Sequence, residues 1–195
     1  MKLFTLEAGV FGTNTYLVCD EKTGKAVLID PDGSAKSILR AVEAKGFSIA
    51  AILLTHGHFD HIGAVDEIAE TTGVEVHISE QDAEMLTDGR KNASAVFFGK
   101  NILCKTVPKV FKDGETLSFD GLTFTVMATP GHTKGSVCFF IDDVVFTGDT
   151  FFAEGYGRCD LYGGNEDVLV RSLQKLVPKL RGKVAYPGHG ESVNV

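Results

Sequence analysis

Three histidines and an aspartate fall within one short window, Thr55-His56-Gly57-His58-Phe59-Asp60-His61, directly after the apolar run Ala50-Ala51-Ile52-Leu53-Leu54. His132 follows much later in Thr129-Pro130-Gly131-His132-Thr133, and His189 later still in Tyr186-Pro187-Gly188-His189-Gly190. Asp149 stands between them in Thr147-Gly148-Asp149-Thr150. Each group trails a segment that reads as a strand, and imidazole with carboxylate is the donor set of zinc, iron and manganese. A chain that uses these groups together must gather several strand ends at one place, as layered folds do. The plain alternative is a solvated polar loop. A lone histidine on an apolar element is usually a satisfied core residue, and His77 in Val74-Glu75-Val76-His77-Ile78 reads as a strand or surface residue of that kind.

The spacing divides the donors into two sets. In His56-x-His58 an extended chain puts both imidazoles on one side, where they grip one ion. Asp60 and His61 follow too closely to share that ion without strain, so they serve a neighbour. His132 completes the first set and His189 the second, and Asp149 bridges with its two oxygens. The expectation is two divalent metal ions, zinc first and iron or manganese as alternatives, on His56, His58, Asp60, His61, His132, Asp149 and His189. Two such ions roughly 3.5–4 Å apart turn a bridging water into hydroxide at neutral pH and hold a carbonyl oxygen as it becomes anionic. That chemistry hydrolyses esters, thioesters, amides, lactones or phosphoesters without a Ser or Cys nucleophile. Asp60 and Asp149 are its catalytic candidates. Neither a Gly-x-Ser-x-Gly elbow nor a Gly-x-x-x-x-Gly-Lys phosphate loop occurs. Asp30 and Thr55 are candidates for orienting the imidazoles; the other reading of Asp30 is a turn residue ahead of Pro31.

Composition narrows the class. With 195 residues, 44% hydrophobic and 23% charged, the chain is expected to form one globular domain over 1–195. A net charge of −7 opposes a sequence-independent grip on nucleic-acid phosphates or an anionic membrane surface, so neither is expected as a partner. Met1 to Glu7 reads as a first strand rather than a signal peptide, and no run is long enough to span a bilayer. Cys19, Cys104, Cys138 and Cys159 form no Cys-x-x-Cys pair, which fits a reducing cytoplasm. Cys159, in a Gly-rich loop, is either a reactive thiol or a small filler residue.

Along the chain, short strands at Leu3–Leu6, Asn14–Cys19 and Ala26–Ile29 precede a helix capped by Pro31-Asp32-Gly33-Ser34 and ended by Gly46. Ile49–Leu54 reads as a fully buried strand, and a helix ending at Gly73 follows the His-rich loop. Val74–Ile78 is another strand and Glu80–Leu86 a short helix. Thr87–Thr106, with Val96-Phe97-Phe98, has no clear period; it is a loop folded onto the core or one wall of a substrate pocket. Asp120-Gly121 and Asp142-Asp143 mark two hairpins. Glu166–Leu180 is the last long helix and Lys183–Ala185 the last strand. Two mixed sheets packed face to face, with helices outside, would bury both.

These residues resemble the metallo-β-lactamase fold superfamily over nearly the whole chain, through the strand-rich start to Asp30, the Thr-His-x-His-x-Asp-His loop, and His132, Asp149 and His189 in order. The resemblance implies an α+β fold, a four-layered αββα sandwich with its metal site at one edge. Within the superfamily the chain is most similar to glyoxalase II (hydroxyacylglutathione hydrolase) and its short relatives. Thr147-Gly148-Asp149-Thr150-Phe151-Phe152 is similar to the segment holding the bridging aspartate there, and Arg158 in Gly155-Tyr156-Gly157-Arg158 falls where a basic residue contacts glutathione. The implied substrate is a small-molecule thioester, a glutathione conjugate among the candidates, with Arg158 binding it; otherwise Arg158 is a surface arginine. Glyoxalase II carries a further C-terminal helical domain, which this sequence lacks, so a weaker hold on glutathione is expected. Persulfide dioxygenases, with one iron on the equivalents of His56, His132 and Asp149, and lactonases share the motif and remain alternatives, as does a non-catalytic metal-binding module.

Overall fold

The computed structural model describes residues 1–9 and 11–195, with the backbone alone at Glu7 and Ala8. β1 (Lys2–Ala8), β2 (Thr13–Asp20), β3 (Lys25–Ile29), β4 (Ser48–Leu53), β5 (Glu75–Ser79) and β6 (Lys109–Phe111) lie side by side in that order. β1, β2 and β3 pair antiparallel, and β3 to β6 pair parallel. β7 (Thr116–Phe119), β8 (Leu122–Ala128), β9 (Val137–Ile141), β10 (Val144–Gly148), β11 (Val184–Pro187) and β12 (Val193–Asn194) form a second sheet, antiparallel except between β10 and β11. The chain therefore completes one mixed sheet before it starts the other. Asp120 and Gly121 both take positive φ, as the tight β7–β8 turn requires.

The layers follow from strands that are apolar on both faces. Along β2, Leu17 and Cys19 point to one side and Val18 to the other; along β3, Leu28 opposes Val27 and Ile29. The inner faces meet in a core of Val18, Val27, Ile29 and Leu53 against Phe124, Val126, Phe139 and Phe146. Burying one such side chain contributes about 1.5–3 kcal/mol. The outer face of the first sheet is covered by α1 (Ala35–Ala44) through Ile38 and Val42, and by α2 (Val65–Thr72) through Val65 and Ile68. The outer face of the second is covered by α4 (Glu166–Leu180) through Leu176 and Leu180, and α3 (Ser94–Phe98) is a short helix between β5 and β6 in the chain. The result is the expected αββα sandwich. No helix among the described residues is long and apolar enough to cross a membrane.

Helix ends follow local chemistry. Ser34 caps α1 by accepting from Ser37 N, and Asn165 caps α4 by accepting from Val168 N. Four details differ from expectation. The short helix is a 3₁₀ turn at Ala83–Thr87, Thr87–Thr106 contains α3, β6 adds a strand at Lys109–Phe111, and β12 follows β11. A two-residue strand and a five-residue helix are too short to leave a period.

Candidate metal centre

Every donor loop leaves the C-terminal end of a strand at one edge of the sandwich. Residues 56–61 follow β4 and include a 3₁₀ turn at Phe59–His61; His132 follows β8, Asp149 follows β10 and His189 follows β11. Val137 N donates to Thr55 O at 2.9 Å, and Asn14 N donates to Gly188 O at 2.7 Å, so the two sheets are joined at this edge.

The seven donors form two groups. His56, His58 and His132 converge in one, and Asp60, His61 and His189 in the other. Asp149 lies between them. Its Oδ2 is 3.5 Å from His132 Nε2 and 3.6 Å from His189 Nε2, and its Oδ1 is 3.5 Å from His61 Nε2. The structure thus brings together the residues that the spacing groups, with Asp149 between the two sets.

Hydrogen bonds set which imidazole nitrogen is free. A carbonyl only accepts, so His132 donates from Nδ1 to Arg158 O at 2.7 Å, and His189 from Nδ1 to Phe11 O at 3.2 Å. His61 donates from Nδ1 to Asp30 Oδ2 at 3.0 Å. Thr55 Oγ1 donates to the same Asp30 oxygen at 2.6 Å, so it accepts from His56 Nδ1 at 3.1 Å. Four rings therefore turn Nε2 inward. His58 turns Nδ1 inward, 2.9 Å from His132 Nε2, which is itself 3.3 Å from His56 Nε2. Asp30 is more than a turn residue: its φ of 50° is left-handed, and its backbone and carboxylate are all engaged, to Leu53, Thr15, Thr55 and His61.

The residues fit divalent cations. His61 Nε2 and Asp149 Oδ1 are buried, face one another, and have no hydrogen-bond partner among the described residues. A cation between them would satisfy both. Gly188 keeps the space open, since a Cβ there would lie 2.2 Å from Asp149 Oδ1 and 2.7 Å from His61 Cε1. Burial, with the neighbouring imidazoles, holds His56 and His58 well below the ordinary histidine value, so both are neutral donors. Burial alone would lower His61 too, but Asp149, Asp30 and Asp60 outweigh it and raise the ring to about 10. Desolvation would raise the half-buried Asp60, yet His61 and His189 hold it below the usual carboxylate range.

A cavity of about 390 Å³ opens over the donors. Phe97 lines it, so the irregular 87–106 stretch does supply a pocket wall. Arg158 reaches the rim, where its Nε and a terminal nitrogen pair with Asp160 at 2.7 Å each. The backbone carbonyl of Arg158, rather than its guanidinium, touches the cluster. His77 lies away in β5, its ring edge-on to Phe119. Three positioning groups carry no local signal: Asn14, Tyr16 and Asp82. Asn14 Nδ2 donates to Pro187 O and Gly190 O, and Tyr16 Oη to Pro187 O, around His189. The buried Asp82 accepts from Gly57 N, Thr133 Oγ1 and Gly135 N, tying the first loop to the His132 loop.

The family model described as Metallo-beta-lactamase superfamily matches residues 8–189. The chain is 33% identical to the probable metallo-hydrolase YqgX of Bacillus subtilis, over all of this chain and 93% of that protein. It is 31% identical to the hydroxyacylglutathione hydrolase GloC of Haemophilus influenzae, with the same coverage. Among solved structures, BLEG-1, a B3 metallo-beta-lactamase, superposes with a TM-score of 0.94 at 32% identity, covering 98% of this chain and 93% of that one. TTHA1623 in a di-iron-bound form superposes at 0.87 with 31% identity, covering 98% and 94%.

Proposed function

Because the chain belongs to the metallo-beta-lactamase superfamily and resembles metallo-hydrolases over its whole length, we propose that it is a dinuclear metal-dependent thioesterase acting on hydroxyacylglutathione-type substrates. The observation that carries this reading is the pair of three-donor groups, His56/His58/His132 and Asp60/His61/His189, with Asp149 between them. A single-iron oxidation site would not need the second group. Zinc is the first candidate for both positions, with iron or manganese as alternatives.

When bound, two such ions supply an acidified water and positive charge for a carbonyl oxygen. The protein's own part is orientation. Asp30 holds His61 directly and His56 through Thr55, and the Arg158 carbonyl holds His132, so each ring keeps its donor nitrogen inward. Asp149 stands between the groups, with Oδ2 near His132 and His189 and Oδ1 near His61, and Phe11 and Phe97 cover part of the opening. The acids of the cavity lining, Asp60 and Asp149, are both turned to the histidines and are not free to protonate a leaving group. A thiolate leaves without that help because a thiol ionises near pH 8.5, whereas an amine needs a proton; thioesters therefore suit the site better than amides. The relative GloC supports the hydroxyacylglutathione form. Four free cysteines suit a reducing cytoplasm.

The test is steady-state turnover by the metal-loaded protein of S-lactoylglutathione, a homoserine-type lactone and a cephalosporin, with oxygen uptake followed on glutathione persulfide. The highest kcat/KM on the thioester, with no oxygen uptake, is expected. Preference for the lactone or the cephalosporin removes the thioesterase reading and leaves the metal hydrolase. Oxygen uptake at one iron per chain replaces it with the dioxygenase.

A further inference from the structure

α3 is built inside out. The residue it buries is Ser94, while Val96, Phe97 and Phe98 stand 66%, 42% and 41% exposed. Phe11 is 43% exposed beside them. The four rings of Phe11, Phe59, Phe97 and Phe98 interlock, with centroids 5.2–6.0 Å apart between neighbours.

The support under this patch is polar and fixed. Ser94 Oγ donates to Asn92 Oδ1 and accepts from Ile102 N, Asn92 Nδ2 donates to Ile102 O, and Phe59 N donates to Asn92 O. The last bond ties the base of α3 to the loop that carries His58 and Asp60. Left-handed residues at both ends, Ala93 and Gly99, bracket the short helix. Contiguous apolar side chains held rigidly in water mark a binding surface. Its position says what binds: Phe11, Phe59 and Phe97 line the cavity that also holds Asp60, Asp149 and His189. Leu161 and Phe152 extend the same lining, and its one arginine, Arg158, is already paired with Asp160 and lies with its guanidinium 5.6 Å from the Phe97 ring.

We propose that this aromatic wall is a subsite for an apolar acyl tail, alkyl or aryl, beyond the carbon that carries the hydroxyl, so that hydroxyacyl thioesters with a longer apolar chain are turned over better than the lactoyl one. The inference rests on reading the cavity as the place where an acyl group is hydrolysed. A carbonyl placed over the donors would run its acyl chain along Phe97 and Phe11. Apolar contact there requires no partner for a polar substituent, and a hydroxyl laid on the rings would lose its water without gaining a hydrogen bond.

The experiment measures binding of n-alkanoates, from acetate to octanoate, to the metal-loaded protein by calorimetry. A carboxylic acid is the product of thioester, ester and lactone hydrolysis alike, so the readout does not depend on which of these the protein turns over. Wild type should tighten about two- to fourfold per added methylene until the wall is covered. Phe97→Ala should flatten that slope while leaving acetate affinity unchanged, and Phe97→Leu should keep most of it. A flat series in wild type, or a slope untouched by Phe97→Ala with acetate binding intact, overturns the inference. So does concentration-dependent dimerisation in sedimentation that Phe98→Ser abolishes without any alkanoate slope, since a second copy would then be the occupant. A slope without thioester turnover keeps the subsite and removes the thioesterase; turnover without a slope does the reverse.

Discussion

Asp30 Oδ1 accepts from Thr55 N, and Asp30 Oδ2 accepts from both Thr55 Oγ1 and His61 Nδ1. Both of its oxygens are taken up by these bonds, although its carboxylate converges with His56 and His61, and it acts by keeping two rings in the right tautomer. Asp149 offers its charge to both donor groups. Asp30→Asn should therefore lower metal affinity by the 10- to 100-fold typical of a lost orienting partner, and Asp149→Asn should lower it further and take activity with it. Competition with a chelating dye measures both, and equal effects would show that Asp149 is not shared. Protonation separates the two groups of donors as well. His61 sits near pKa 10 in the metal-free protein and His189 is also raised against its burial by Asp60 and Asp149, whereas His56 and His58 are already neutral. At pH 6, below the ordinary pKa of about 7 of a metal-activated water, loading the second group must displace protons while filling His56 and His58 displaces none. Calorimetry in two buffers of different ionisation enthalpy should register that release, and His61→Ala should diminish it.

The last donor loop is held by an element from the other sheet. Asn14 and Tyr16 of β2 bond the carbonyls of Pro187 and Gly190, and Thr13 bridges to His189. Asn14→Ala should loosen His189 and so weaken the Asp60/His61/His189 group more than the His56/His58/His132 group. Stepwise metal titration of the variant should keep the first, tighter event and weaken the second. The sequence conveyed the elements well where they are long or strongly punctuated: α4 matches its expected bounds, and Gly73 ends α2. The residues of the candidate centre that the fold gathers were also legible, because His56 to His61 are local and His132, Asp149 and His189 each sit just past a strand. The parts that stayed hidden share one cause. Asn14, Tyr16, Asp82 and the Arg158 carbonyl act through contacts between residues far apart in the chain, and no spacing reports those. α3 was unreadable for a different reason, since its apolar side faces water and its polar side faces in.

At the scale of the whole molecule, the donors staple two sheets. Residues 56–61 come from the first, and His132, Asp149 and His189 from the second, with a mainly apolar inner core behind them. Ions that bind only the folded chain should stabilise it by about 4 kcal/mol at a free concentration a thousandfold above Kd. At roughly 2–4 °C per kcal/mol for a chain of this size, chelation should lower Tm by about 8–16 °C. Calorimetric scans with and without chelator would check this, and an unchanged Tm would mean that no ion binds the folded chain in preference to the unfolded one. The central claim, a hydrolytic centre of two ions sharing Asp149, is tested most directly by titrating metal-free protein with zinc while following thioester hydrolysis. The rate should stay low through the first equivalent, rise through the second and level off at two, whereas a rate complete at one equivalent would contradict the dinuclear account.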